Sequence, residues 1–280
     1  MSDVTNTTQD PFYFILTGIP GFEASHVWIS IPFCCLYIIS IMGNTTILAV
    51  IGTEPSLHQP MYLFLSMLAL TDLGLTLTTL PTVMQLLWFD IRQINFEGCF
   101  AQFFFLHGFS FMESSVLLAM SFDRYVAICH PLHYATILTS EVIGRIGDMI
   151  RLVCADIRVN SWYGFALVLL IIVMDPLLIV LSYTLILKSI LGSATWTARL
   201  RALNNCLSHI LAVLLLYVPM VGVSMTHRFA KQASPLVHVI VANIYVLAPP
   251  VMNPIIYSVK TKQIRQGMIC LFSQRNKHLR

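Results

Sequence analysis

Four polar side chains lie inside long apolar stretches, where a carboxylate or an amide needs a partner. Asp72 and Glu113 are about 16 to 18 Å from the same end of two consecutive stretches, at 1.5 Å per helical residue. Two carboxylates at one depth repel each other, so either one stays protonated or a cation such as Na⁺ lies between them. Asn44 and Asn253 come from neighbouring stretches and could complete this cluster. The alternative is a hydrogen-bonded packing cluster without an ion.

The spacings of common catalytic and metal sites are missing from the sequence. It contains no H-E-x-x-H, no G-x-S-x-G and no Gly-rich phosphate loop, and its seven cysteines form no C-x-x-C pair. We therefore expect no enzyme, no cofactor and no metal beyond the possible Na⁺.

The composition predicts an all-α membrane protein, with the lipid bilayer as a partner and no role in nucleic-acid binding. Hydrophobic residues make up 57% of the chain and charged residues 10%, whereas a soluble domain is about one quarter charged. A membrane-spanning helix needs about 20 mostly apolar residues. Six stretches satisfy this requirement: 27–51, 61–89, 99–122, 162–187, 206–225 and 237–259.

The distribution of charge predicts an odd number of crossings instead. Residues 1–26 carry three acidic and no basic side chains, whereas residues 260–280 carry six basic and no acidic ones. Basic residues favour the cytosolic side, so we expect 1–26 as an extracellular tail and 260–280 as a cytosolic helix and tail, with the bundle at 27–259. The sequon at Asn6 fits this tail. Six crossings would put both ends on one side, so one crossing is missing.

Residues 141–160 do not supply the missing crossing. This stretch carries six charged side chains. Each charged side chain costs about 2.5 to 3.5 kcal/mol of insertion free energy near the bilayer centre, whereas each aliphatic side chain favours insertion by only a few tenths of a kcal/mol. The sequence therefore predicts a loop here.

Four long motifs occur along the chain in a fixed order. They are LHQPMYLFLSMLALTDL from position 57, MSFDRYVAICHPLHY from 120, RALNNCLSHI from 201 and PPVMNPIIYSVKTKQIR from 249. Together they resemble the signatures of odorant receptors in the rhodopsin-like class of G-protein-coupled receptors. The HRF segment that includes Arg228 is similar to the class I, or fish-like, branch.

This resemblance implies a seven-helix bundle that couples to a heterotrimeric G protein of the stimulatory olfactory type. Arg124 would contact the G protein once its partner Asp123 releases it, and Tyr257 would swing inward on activation. Such a receptor is a two-state bundle, biased by a ligand that binds one state better. The residues implied in coupling are Asp123, Arg124, Tyr125, Asn253, Pro254 and Tyr257.

The same resemblance accounts for the missing crossing. In this family the GRIG of residues 144–147 leads into the fourth transmembrane helix, and a long extracellular loop follows. Here Gly147 is followed directly by Asp148, so a helix of about 20 residues and most of that loop are predicted to be deleted. Cys99 would lose its usual disulfide partner with the loop. Cys154 matches the last cysteine of the loop and could pair with Cys99 only if it reached the lumen, so we expect a free thiol at both positions.

A rhodopsin-like bundle binds small molecules between the outer halves of its helices. His107 is roughly 12 Å below the outer end of its helix, and Arg228 lies at the outer end of the helix formed by 206–225. Arg offers two parallel donors, so the pair suits a carboxylate headgroup. Alternatively Arg228 reaches lipid headgroups and His107 bonds a backbone carbonyl. The other predicted wall residues are Phe104, Ser110, Phe111, Met220 and Ser224.

The sequence thus predicts a multi-pass plasma-membrane receptor that binds a small volatile or weakly acidic molecule and activates a G protein. One alternative is a non-signalling product of a deleted or mis-spliced gene, retained in the endoplasmic reticulum. Another is a small transporter, since Asp175 beside Pro176 could mark a broken-helix site. The sequence shows no internal repeat, and we expect Asp175 to hydrogen-bond locally instead.

Overall fold

The computed structural model places long helices over most of the chain. It describes residues 13–16, 18–19, 21, 26–139, 141–142, 144, 161–193, 196–229 and 234–278, without the side chains of 135, 161–172, 193, 198, 201, 205, 227–228 and 272–278. In this part of the chain the helices are α1 His26–Thr53, α2 Pro60–Phe89, α3 Phe96–Cys129, α4 Tyr134–Ile137, α5 Ser161–Ser193, α6 Trp196–Phe229, α7 Pro235–Lys260 and α8 Lys262–His278.

Six of the helices in the described residues are long and apolar enough to cross a membrane: α1, α2, α3, α5, α6 and α7. The six predicted spans are confirmed. Several helices extend beyond the apolar stretch, as α3 does from residue 122 to Cys129. Backbone hydrogen bonding continues where hydropathy stops, which is why the sequence marked the spans more reliably than the helix ends.

Local sequence features set the boundary between α2 and α3. Asp90 ends α2 in the left-handed conformation, with φ at 50°. Strand β2 (Gln93–Asn95) follows and pairs antiparallel with β1 (Tyr13–Ile15). The side chain of Asn95 then caps α3 by accepting a hydrogen bond from the Gly98 amide at 2.9 Å. This small sheet therefore marks the end of the bundle at which α3 begins.

α3 and α5 run parallel to each other. Ser114 on α3 contacts Asp175 on α5, and further along both helices Tyr125 and Cys129 pack against a cluster that includes Ile186 and Ile190 of α5. Residue numbers therefore rise in the same direction on the two helices. The chain leaves α3 at one end of the bundle and enters α5 at the other. None of the six long helices in the described residues connects these two ends of the bundle between α3 and α5.

Gly43 allows α1 to approach α7 closely. A Cβ placed on Gly43 would lie 2.8 Å from Cβ of Pro254, whose ring cannot rotate away, whereas a Cβ on Gly52 of the same helix meets no atom within 4 Å. Small residues at such contacts are the usual means by which membrane helices pack.

We expect Gly43→Ala to lower the stability of the detergent-solubilised protein by about 1 to 3 kcal/mol, the usual cost of overpacking. Gly52→Ala should be neutral or slightly stabilising, because Ala is the better helix former. The thermal unfolding midpoints of the two variants provide the measurement. Equal midpoints would show that α1 and α7 separate without cost.

Candidate functional site

A cavity of about 210 Å³ lies between α3, α6 and α7. Five of the predicted wall residues line it. The full lining is His107, Ser110, Phe111, Ser114, Leu216, Tyr217, Met220, Val223, Ser224 and Tyr245. Its walls are apolar with a few hydroxyl groups and one imidazole, which is the usual composition of a small-molecule site.

Two predicted wall residues are not among those that line this cavity. Phe104 lies one helical turn nearer the start of α3, and its ring packs edge-on against Phe105 with centroids 5.5 Å apart. Arg228 belongs to α6, but its side chain lies outside the described residues. The structure therefore supplies a cavity and its imidazole, and the arginine remains a prediction.

His107 bonds a backbone carbonyl, which is the alternative to a ligand contact that the sequence left open. Its Nδ1 donates to the carbonyl oxygen of Phe103 at 2.9 Å, since a carbonyl oxygen can only accept. This bond holds the ring at the cavity wall and leaves Nε2 for another partner. The two roles considered for His107 are therefore compatible.

Asp175 forms a bond across helices, so the expected local hydrogen bond is wrong. The Ser114 hydroxyl donates to Asp175 Oδ2 at 2.6 Å, and the Ser114 and Tyr217 oxygens are 2.8 Å apart. Helix rotation turns Asp175 towards α3, where a hydroxyl replaces the water lost on burial. Ser114 and Tyr217 line the cavity, and sequence reasoning missed both.

Three of the four residues predicted as a polar cluster come together. The Asn253 amide nitrogen donates to both Asp72 oxygens, at 3.1 and 3.3 Å, and to Glu113 Oε1 at 3.3 Å. All three side chains are buried. Asn44 is not part of this cluster, because its amide donates to the carbonyl oxygens of Ser40 and Pro250. These two bonds use both of its amide hydrogens, and the bond to Pro250 joins α1 to α7.

The cluster leaves two buried oxygen atoms without a hydrogen-bond partner, Glu113 Oε2 and Asn253 Oδ1. A proton on a carboxylate or a Na⁺ ion between the oxygens would satisfy them, because both supply positive charge to oxygen ligands. Among the described residues, no group of three His, Cys, Asp or Glu side chains could hold a metal. Both predicted alternatives for the cluster remain open.

A second cavity, the Arg124 crevice, opens at the far end of α3 and has a volume of about 420 Å³. Its walls are mostly polar and come from α2, α3, α6, α7 and the start of α8. They are Gln59, Met61, Tyr62, Met120, Arg124, Asn204, Ser208, His209, Tyr257, Lys260, Thr261, Lys262 and Gln263.

Asp123 and Arg124 interact electrostatically, but the hydrogen bond of the Asp123 carboxylate goes to another side chain. Asp123 Oδ1 accepts a hydrogen bond from the Tyr134 hydroxyl at 2.6 Å, while the Arg124 guanidinium contacts the sulfur of Met61. Adjacent helical residues point in different directions, so their side chains do not face each other. Burial, followed by the bond to the Asp123 carboxylate, raises the pKa of Tyr134, which keeps this phenol a donor at neutral pH.

Of the other residues predicted to act in coupling, Tyr257 lines the Arg124 crevice and Tyr125 does not. Tyr257 is buried and lines the Arg124 crevice, and Pro254 is buried one turn earlier on α7. Tyr125 is not among the lining residues, because its hydroxyl lies 3.2 Å from Nε2 of His130. Of the D-R-Y motif, only Arg124 reaches the crevice.

His209, which lines the Arg124 crevice, joins three helices. Its Nε2 donates to the Leu117 carbonyl at 2.9 Å, so Nδ1 accepts from the Tyr183 hydroxyl at 2.6 Å. The side chain is 1% exposed. Sequence reasoning missed His209, although a histidine inside an apolar run is the kind of signal that identified Asp72 and Glu113.

Of the predicted cysteine and glycosylation sites, only Cys99 lies within the described residues. Cys99 is a free cysteine within the described part of the chain and lies in the first turn of α3. Cys154 and Asn6 lie outside the described residues.

Comparison with known proteins decides the family. A family model described as "Olfactory receptor" matches residues 33–152 and 147–275. The chain belongs to the olfactory receptor family. It is similar to human Olfactory receptor 51Q1, at 73% identity over all of both chains. It is also similar to human Olfactory receptor 51G2, at 53% identity over 92% of this chain and 94% of the relative.

Membership confirms the resemblance seen in the four motifs, and it makes the chain a multi-pass membrane receptor and not an enzyme. The fold agrees, because squid rhodopsin superposes with a TM-score of 0.74 at 18% identity, over 88% of this chain and 80% of that one. The alignment with Olfactory receptor 51Q1 has 317 columns against 280 residues here, which leaves 37 columns without a residue in this olfactory receptor chain. The two matched segments meet at residues 147–152.

Proposed function

We propose that this receptor binds a small volatile or weakly acidic molecule in the cavity between α3, α6 and α7, and activates a heterotrimeric G protein at the Arg124 crevice. The observation that carries the proposal is the position of the two cavities at opposite ends of α3 and α6. A ligand that binds better when α6 shifts against α3 alters both cavities at once.

Two polar contacts hold α6 against α3 between these cavities. One is the Ser114 to Tyr217 pair beside the ligand cavity, and the other is the bond from His209 to the Leu117 carbonyl. Hydrogen bonds inside a bundle have two discrete states, made or broken, so they suit a switch between two arrangements. Opening of α6 would expose Arg124 and Tyr257 to the G protein, of the stimulatory olfactory type by family resemblance.

A second candidate function is that of a non-signalling product retained in the endoplasmic reticulum. The observation that favours it is the parallel arrangement of α3 and α5, because the chain between them must join opposite ends of the bundle. The 37 unmatched columns and the division of the family match at residues 147–152 support a deletion near Gly147 and Asp148. We propose that the deleted part is the fourth transmembrane helix with most of the loop after it.

The acid-binding part of the proposal is tested with an acid and its methyl ester, on the receptor with a fourth helix restored. Arg228→Ala should weaken the response to the acid by about 1.5 to 3 kcal/mol, the contribution of a hydrogen bond to a charged group. The ester should change little, because it keeps the apolar body and lacks the charge. The measurement is the ligand concentration for a half-maximal cAMP response.

Arg228→Lys is the matched variant, and it should recover only part of the acid response, because Lys cannot form the two-pronged contact. Equal losses for acid and ester would assign Arg228 a general packing role. Unchanged potency of the acid would favour the alternative that the Arg228 side chain contacts lipid headgroups.

A further inference from the structure

Three side chains from three helices form a chain of hydrogen bonds at the inner end of the ligand cavity. Ser114 on α3 lies between Asp175 on α5, 2.6 Å away, and Tyr217 on α6, 2.8 Å away. Ser114 and Asp175 are both less than a tenth exposed. Ser114 and Tyr217 line the cavity, so this chain of bonds ends at the space where a ligand would lie.

The direction of these bonds follows from counting hydrogen atoms. The single Ser114 hydroxyl hydrogen goes to the Asp175 carboxylate. Tyr217 must therefore donate its own hydrogen to the Ser114 oxygen, since that contact needs one donor. The Tyr217 oxygen then has lone pairs and no hydrogen left for another partner. Towards the cavity, this end of the chain can only accept.

We propose that the inner end of the cavity is an acceptor subsite, which selects ligands carrying a hydroxyl group at the end remote from the headgroup. This inference rests on the proposed function, which puts a weakly acidic headgroup near His107. Ser114 follows His107 by seven residues, or about 10 Å along the axis of α3. A ligand with a carboxylate at one end and a hydroxyl at the other, an ω-hydroxy carboxylic acid, matches this arrangement.

Whether a terminal hydroxyl group strengthens or weakens ligand binding distinguishes an acceptor subsite from a plain apolar wall. If Tyr217 accepts the ligand hydroxyl, the ω-hydroxy acid should bind about three- to tenfold tighter than the unsubstituted acid. If the wall is apolar, the hydroxyl loses its water partners without replacement and binding weakens. The oxygen of an ω-methoxy acid can only accept a hydrogen bond, and the Tyr217 oxygen has no hydrogen to donate. The methoxy acid should therefore bind more weakly than the hydroxy acid or the unsubstituted acid.

The test uses the full chain with a fourth helix restored between Gly147 and Asp148, purified and reconstituted in lipid nanodiscs, with hexanoic acid, its ω-hydroxy derivative and its ω-methoxy derivative as probes. Saturation-transfer NMR titrations give their relative affinities without any need for signalling. We expect the order hydroxy, unsubstituted, methoxy. A hydroxy acid that binds no better than hexanoic acid overturns the acceptor subsite and leaves the proposed function standing. Failure of all three probes to bind overturns the proposed function, and the subsite with it.

Variants then locate the effect. Tyr217→Phe should abolish the advantage of the hydroxy acid while hexanoic acid still binds. Tyr37→Phe is the matched control, because Tyr37 bonds Thr79 away from the cavity, and the ratio of the two affinities should stay as in the parent chain. A retained advantage in Tyr217→Phe would overturn the assignment to Tyr217.

Asp175→Asn allows the direction of the hydrogen bonds from Asp175 through Ser114 to Tyr217 to reverse. An amide can donate to Ser114, which frees the Ser114 hydrogen for Tyr217 and the Tyr217 hydrogen for the cavity. The preference for the hydroxy over the methoxy acid should therefore shrink in this variant. An unchanged preference would show that Asp175 does not set the direction of the bonds. If these variants fail to fold, the comparison of the three probes on the parent chain decides the proposal alone.

Discussion

Insertion of a fourth transmembrane helix between Gly147 and Asp148 should raise the receptor from near-background surface expression to the level of an intact relative, and restore a ligand-dependent rise in cAMP. The corresponding segment of Olfactory receptor 51Q1 is the natural donor, because the two chains are 73% identical over their 317-position alignment. In this fold the fourth helix packs against the second and third helices. Large apolar side chains of the second and third helices, such as Leu70, Leu77 and Phe122, are exposed in this structure, and we expect the added helix to cover part of this surface.

The expected gain is close to all-or-none, because the added helix supplies the missing crossing as well as the missing contacts. Surface staining of intact cells and a cAMP reporter measure the two effects separately. An insert of equal length without an apolar run is the control, and it should rescue neither. Arg124→Ala in the repaired receptor should keep surface expression and lose the cAMP response. Robust signalling from the 280-residue chain itself would contradict the prediction.

The sequence predicted features that depend on local composition. Each membrane span is a property of about 20 consecutive residues, so hydropathy identified all six helices. The joint depth of Asp72 and Glu113 was also predictable, because the rise per residue converts sequence position into depth. The structure adds that Asn253 donates to both carboxylates.

Contacts that depend on helix rotation could not be predicted in the same way. Asp175 and Ser114 are 61 positions apart, and His209 bonds a carbonyl 92 positions away. Depth does not say which face of a helix points inward, so Asp175 was assigned a local bond. Asp123 accepts its hydrogen bond from Tyr134 and not from Arg124, which was predictable because adjacent residues on a helix point apart.

The direction of α3 and α5 conflicts with the charge of the residues between them. The two helices run parallel, so the chain between Cys129 and Ser161 joins opposite ends of the bundle. Residues 141–160 carry six charged side chains, each of which opposes membrane insertion by about 2.5 to 3.5 kcal/mol. We therefore expect that a membrane does not accept all six helices in the arrangement of the folded bundle as one population.

The most direct measurement of this central claim is the location of both termini in the same molecules. Tags at Met1 and Arg280 are probed with and without permeabilisation, and cysteine labelling in the loops reports which helices span. We predict either termini on opposite sides with at least one of the six helices outside the membrane, or a mixture of two orientations. A single population with both termini on one side and six stable crossings would contradict the account.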